Sequence, residues 1–63
     1  MKVEIFRKRN ISGYTDVVDD LPETVYRNIQ WIEVYPNVIY GNIDGEELTI
    51  RMDKYNYRYF ISE

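Results

Sequence analysis

The dipeptide Asp44-Gly45 constrains this chain more than any other feature, because it joins two stretches that alternate like β-strands. A type I′ turn needs positive φ at both central positions, and Asp followed by Gly adopts that geometry readily. A two-residue turn places Ile43 opposite Glu46 and fixes every later pair of the hairpin. Because side chains alternate across a strand, one face of this hairpin is aliphatic. That face carries Ile39, Ile43, Leu48, Ile50 and Met52.

A second turn, Tyr35-Pro36-Asn37-Val38, precedes the hairpin. Proline presets φ at the first central position of a turn, and Asn tolerates the second. A two-residue loop pairs Val34 with Ile39 and Ile32 with Gly41, which puts Val34 and Ile32 on the aliphatic face. Two independent turns therefore predict one apolar face and a three-stranded antiparallel sheet over residues 28–52. A three-residue loop would instead slip the register and turn the first strand over.

The reverse face of this predicted sheet is aromatic and mixed in polarity. It carries Ile29, Trp31, Glu33, Tyr35, Val38, Tyr40, Thr49 and Arg51. Because domains are built from packed layers, one expectation is that residues 1–27 cover this face. The alternative is a surface for a partner, since Trp, Tyr and Arg dominate binding hot spots. The predicted partner-binding residues are Trp31, Glu33, Tyr35, Tyr40 and Arg51.

The N-terminal part of the chain also shows strand patterns. Residues 2–9 alternate, and residues 14–18 return against them through turn-forming residues 10–13, which predicts a hairpin. The segment 22–27 begins with proline, a residue favoured at the first position of a helix. A helix of one or two turns is therefore possible near 22–27, although β-branched residues oppose it.

The C-terminal residues 57–62 predict a last strand, which we expect beside residues 47–52. The predicted fold is thus mainly β. It has five to six short antiparallel strands in a twisted sheet or small open barrel, with at most one short helix near 22–27. Its 63 residues predict one small domain, 1–63.

The composition limits the chemistry, because the sequence contains no cysteine and no histidine. Disulfides and thiolate metal sites are excluded, and the residue most often used for general acid–base catalysis is missing. We therefore predict that the chain is not an enzyme, with no catalytic residues, no metal site and no cofactor. The net charge of −3 argues against general DNA binding.

The hydropathy pattern predicts no association with a membrane. No apolar run approaches the ~20 residues needed to span a bilayer. The first residues, MKVEIFRKR, are charged throughout, unlike a signal peptide. We expect a cytoplasmic protein.

These observations favour a non-enzymatic small binding protein that acts through protein–protein contacts with a partner of unknown identity. An inhibitor or adaptor from a phage or mobile element is the specific hypothesis, because heavy use of Ile, Tyr and Asn suits an AT-rich genome. A further hypothesis is a homodimer or larger homo-oligomer whose exposed strands pair across a two-fold axis.

The alternative function is binding of single-stranded nucleic acid or a nucleotide through the basic and aromatic C-terminal strand. Mixed basic and aromatic side chains on a sheet can stack bases and pair with phosphates. The residues predicted for this alternative are Arg51, Lys54, Tyr57, Arg58 and Tyr59.

Overall fold

The computed structural model describes residues 1–11, 13, 15–53 and 55–63, and within them the chain forms seven strands and no helix. The strands form two antiparallel sheets that are not closed into a barrel. The predicted antiparallel β fold is confirmed. The strands are β1 (Lys2–Ile11), β2 (Thr15–Val18), β3 (Thr24–Tyr26), β4 (Ile29–Tyr35), β5 (Val38–Ile43), β6 (Glu46–Arg51) and β7 (Tyr57–Ser62).

The three-stranded sheet β4-β5-β6 has the two registers that its turns predict. Asp44 and Gly45 both have positive φ, 51° and 86°, as a type I′ turn requires. The Gly45 amide also donates a 2.9 Å hydrogen bond to Asn42 Oδ1. Across the other turn, Val34 lies opposite Ile39. The local turn chemistry therefore fixes which side chains share each face.

A β-bulge at the start of β4 moves Ile29 to the aliphatic side. Ile29 pairs with Ile43, whereas Trp31 pairs with Asn42, so β4 holds one extra residue between these pairs. Ile29 is only 2% exposed. The prediction that placed Ile29 beside Trp31 on the aromatic side is therefore wrong, because it assumed uninterrupted alternation.

The second sheet is organised around the long strand β1. Its C-terminal part pairs with β2, from Lys8 opposite Val18 to Ile11 opposite Thr15, which confirms the predicted hairpin. Its N-terminal part pairs with both β3 and β7 through Val3–Ile5, so these two strands lie on opposite edges of β1.

Two segments of this second sheet differ from the sequence-based predictions. Segment 22–27, where the sequence analysis permitted a short helix, contains strand β3 instead. Its β-branched residues suit a strand, and the edge of β1 offers a pairing partner. The last strand pairs with β1 rather than with β6. A turn redirects the chain, since the amides of Asn56 and Tyr57 donate to the Asp53 carbonyl at 3.0 and 2.9 Å.

The core lies where the aliphatic face of the three-stranded sheet meets β1. Its buried members are Val3, Ile5, Ile29, Ile39, Ile50 and Met52. Backbone hydrogen bonds join the two sheets at one end, from the Ile29 amide to the Met1 carbonyl and from the Met1 nitrogen to the Ile29 carbonyl. The molecule is thin, with principal extents of 43 × 21 × 14 Å. Val3 and Ile5 of β1 therefore pack against part of the aliphatic face. The expectation that residues 1–27 cover the aromatic face is wrong, because Trp31, Tyr35 and Tyr40 remain exposed there.

Candidate protein-binding surface

The reverse side of the three-stranded sheet is a grid of side chains in three cross-strand rows, which we call the aromatic face. The rows are Trp31, Asn42 and Glu47; then Glu33, Tyr40 and Thr49; then Tyr35, Val38 and Arg51. Directly opposed residues in an antiparallel sheet point to the same side. All five residues predicted to bind a partner lie on this face, and the two turn registers bring them together.

The large aromatic side chains of this face remain open to solvent. Trp31 is 46% exposed, Tyr35 is 49% exposed and Tyr40 is 42% exposed. Tryptophan and tyrosine are residue types that dominate the binding energy at protein interfaces. An aromatic cluster in this position is typical of an interaction surface.

Contacts within the face hold Tyr35 in place. Its ring meets the Tyr40 ring edge-on, with centroids 5.6 Å apart and planes 72° apart. Its hydroxyl donates a 2.9 Å hydrogen bond to Glu33 Oε2. This hydrogen bond, and then the negative charge of Glu33, raises the pKa of Tyr35 above its ordinary value of 10.0. These two contacts restrain the Tyr35 side chain on the aromatic face.

A pocket of about 240 Å³ opens between the first two rows of the grid. Its walls include the aromatic side chains of Trp31 and Tyr40 and the acidic side chains of Glu33 and Glu47. Aromatic faces and carboxylates both attract cations, so this pocket favours a positively charged group. Glu47 was not among the predicted site residues, although the Asp44-Gly45 register already places it on the side of Trp31.

The residues predicted for nucleic-acid binding that the structure describes do not share one face. Tyr57 and Tyr59 lie opposite Arg7 and Ile5, on the side of the second sheet that meets the core, whereas Arg58 points to the other side. Arg51 belongs to the other sheet, and Lys54 lies outside the described residues.

A cleft of about 510 Å³ is lined by two of the residues predicted for nucleic-acid binding. Arg51 and Tyr57 both line it, together with the acidic Asp53. A phosphate approaching this cleft would meet a carboxylate as well as a guanidinium.

The outer face of the second sheet carries a smaller apolar group that the sequence did not reveal. Val25 and Phe60 lie on either side of Glu4, and both are exposed. This row exists only because β7 pairs with β1, whereas the sequence-based expectation placed β7 beside β6. Phe60 offers an exposed aromatic residue away from the aromatic face.

In the part of the chain that the structure describes, the aspartate and glutamate residues form no group of three or more that could hold a metal ion. Within that same part of the chain, no helix is long and apolar enough to cross a bilayer.

Comparison of the chain with protein-family models, with curated proteins and with solved structures finds no match. The geometry of the aromatic face is therefore the basis for a functional proposal.

Proposed function

We propose that this chain is a non-enzymatic protein-binding module that holds its partner on the aromatic face. The observation that supports this most is the position of Trp31, Tyr35 and Tyr40, half exposed and adjacent on one side of a sheet. These three residues are not members of the core, so the exposed area of their side chains is available to a partner. Tryptophan and tyrosine are the residues that most often dominate binding energy at protein interfaces.

The pocket on this face indicates a partner that presents a basic side chain. A guanidinium placed between Trp31 and Tyr40 would stack on aromatic faces while Glu33 and Glu47 supply opposite charge. The chain's net charge of −3 adds long-range attraction to a basic surface. Arginine fits better than lysine, because its planar group both stacks and pairs with carboxylates.

An inhibitor or adaptor is the role that suits such a module, since occupying a basic surface on another protein needs no chemistry from the chain itself. Origin in a phage or mobile element is part of this proposal and is supported only by amino-acid usage.

Intrinsic fluorescence tests the proposal, because Trp31 is the sole tryptophan in the sequence. We would select binders from a displayed random peptide library and titrate the purified protein with the enriched peptides. We expect arginine-containing peptides to be enriched and to change Trp31 emission in a saturable way. Replacing the critical arginine by glutamine in each peptide should abolish the response.

Two variants of the protein test whether the change in Trp31 emission comes from binding at the aromatic face. Tyr40→Ala and Glu33→Gln should each weaken peptide binding about tenfold or more, as expected for a hot-spot residue. Phe60→Ala removes an exposed aromatic side chain from the other sheet and should leave binding unchanged. Selected peptides that bind all variants equally, or that carry no basic residue, would contradict the proposal.

A further inference from the structure

Strand β6 lies at an edge of the three-stranded sheet. In the described part of the chain, β6 pairs only with β5. Ile43 and Glu46 flank the two-residue turn and exchange backbone hydrogen bonds, and the pattern alternates along the hairpin. The backbone groups of Glu47, Thr49 and Arg51 therefore point to the free edge, and their side chains are exposed.

We propose that β6 pairs antiparallel with β6 of a second copy of this chain, around a two-fold axis at Thr49. Two three-stranded sheets then join into one continuous six-stranded sheet. Thr49 lies opposite Thr49 of the second copy, and Glu47 lies opposite Arg51. All outward-pointing backbone groups of the strand meet partners in this register. The inference does not depend on the proposed function of the aromatic face.

Side-chain complementarity favours this register over the two registers whose axis lies one residue away along β6. On the aromatic side the two-fold axis generates two Glu47–Arg51 pairs, and on the aliphatic side it generates two Leu48–Ile50 pairs. Opposite charges and apolar side chains that face each other directly across strands stabilise pairing. Centring the axis on Leu48 would place Arg51 opposite the turn. Centring it on Ile50 would bring Glu47 opposite Asp53, a like charge.

The other edge of the same sheet is not suited to this pairing. The bulge at the start of β4 interrupts the ladder, and the backbone groups of Ile29 already bond to Met1. The backbone groups of β4 that point to this edge are those of Ile32 and Val34. The symmetric register that pairs both of them is centred on Glu33, so it would oppose two glutamates. Bulges and charges are the usual devices that keep an edge strand from pairing. The contrast leaves β6 as the edge of this sheet that accepts a second copy.

The proposed dimer enlarges the aromatic face. The row of Trp31, Asn42 and Glu47 continues into the row of Arg51, Val38 and Tyr35 of the second copy. Glu47 is then paired across the dimer, and Glu33 remains as the carboxylate that serves the cation-attracting pocket. Each dimer carries two such pockets on one side of a single sheet.

Sedimentation velocity over a range of protein concentrations tests the inference. The unmodified chain should shift from monomer to dimer as its concentration rises. Glu47→Arg alone, or Arg51→Glu alone, places like charges opposite each other twice and should weaken self-association about tenfold or more. An equimolar mixture of the two variants should form a heterodimer, because each like-charged pair becomes a Glu–Arg pair.

Two further variants distinguish an effect of the proposed strand register from a general effect of charge and from misfolding of the monomer. Glu46→Arg makes the same charge change on the same strand outside the Glu–Arg pairs, and should weaken the dimer less than Glu47→Arg does. Thr49→Pro removes an outward-pointing amide, so it should abolish the dimer while the circular dichroism of the monomer persists.

A chain that stays monomeric at every concentration would overturn the inference. A mixture of Glu47→Arg and Arg51→Glu chains that associates no better than either variant alone would overturn the register.

Discussion

At the scale of single residues, the hydrogen bond between Tyr35 and Glu33 gives the aromatic face a measurable signature. The neutral phenol is stabilised by donating to the carboxylate, which raises the pKa of Tyr35. The contribution to stability is fully present below the ordinary tyrosine pKa of 10.0, and it is lost as pH rises through the higher pKa of the folded state.

We expect Glu33→Ala to return the pKa of Tyr35 toward its ordinary value. The measurement is the ultraviolet titration of phenolate, with Tyr35→Phe used to identify the transition that belongs to Tyr35. Glu47→Ala removes another carboxylate from the same face without breaking that hydrogen bond, and should leave the pKa of Tyr35 raised. Identical titrations of the unmodified chain and Glu33→Ala would contradict the contact.

Gly41 allows a close backbone approach beside the bulge of β4. A Cβ at this position would lie 2.9 Å from the Trp31 carbonyl oxygen and 3.3 Å from Ile32 Cγ2. Because the nearer atom belongs to the backbone, it cannot move aside without disturbing the ladder. Gly41→Ala should lower the free energy of unfolding by roughly 1–3 kcal/mol in urea denaturation. Gln30→Ala, at an exposed position of β4, should change it by less than about 0.5 kcal/mol.

At the scale of elements, the β5-β6 hairpin depends on the conformation of its turn. Gly45 has φ of 86°, where an alanine is strained even though open space surrounds it. Gly45→Ala should therefore cost about 1–2 kcal/mol of unfolding free energy. Asp44→Gly is the matched control, because glycine adopts positive φ at the neighbouring turn position and should cost under about 1 kcal/mol. Equal losses for the two variants would contradict a type I′ turn.

The elements that the sequence predicts well are those set by neighbouring residues. Asp44-Gly45 and Pro36-Asn37 determine their hairpins locally, so both registers and the faces of residues 31–51 follow from them. All five predicted partner-binding residues therefore lie on one face. Glu47, which lines the pocket, follows from the same register but was not selected as a site residue.

The elements that the sequence predicts poorly depend on contacts between residues that are distant from each other along the chain. The bulge that turns Ile29 inward adds one residue to β4, and no distinctive dipeptide marks it. Strand β7 pairs with β1, which is distant in sequence, and not with β6, which directly precedes it in the chain. Local residue patterns do not distinguish between these two possible partners. The same choice separates Arg58 from Arg51, so the set predicted for nucleic-acid binding depended on the wrong neighbour for β7.

At the scale of the whole molecule, one small core holds two thin sheets together. Ile39 is 0% exposed at the centre of that core, whereas its cross-strand neighbour Val34 is 44% exposed. Ile39→Ala should lower the free energy of unfolding by about 2–5 kcal/mol, which is a large part of the stability of a domain this small. Val34→Ala removes methyl groups from the same face and should cost about 1 kcal/mol or less. Thermal and urea denaturation followed by circular dichroism would measure both.

Layering alone did not predict which face of the three-stranded sheet is covered. Both faces carry apolar atoms, but the second sheet packs on the aliphatic face. Aliphatic side chains can be buried without a hydrogen-bond partner, whereas the tyrosine hydroxyls and glutamates of the aromatic face would each need one. This difference in desolvation explains why Trp31, Tyr35 and Tyr40 remain at the surface.

The separation of an aliphatic face from an aromatic face is the claim on which both proposals depend, and it follows from strand register. Val34–Ile39 and Tyr40–Thr49 are pairs whose backbone groups point away from each other, so their Hα atoms come close. A nuclear Overhauser spectrum should show Hα–Hα cross-peaks for both pairs. Cross-peaks from Val34 to Val38 or Tyr40 instead would reveal a one-residue slip, exchange the two faces of β4 and contradict the account.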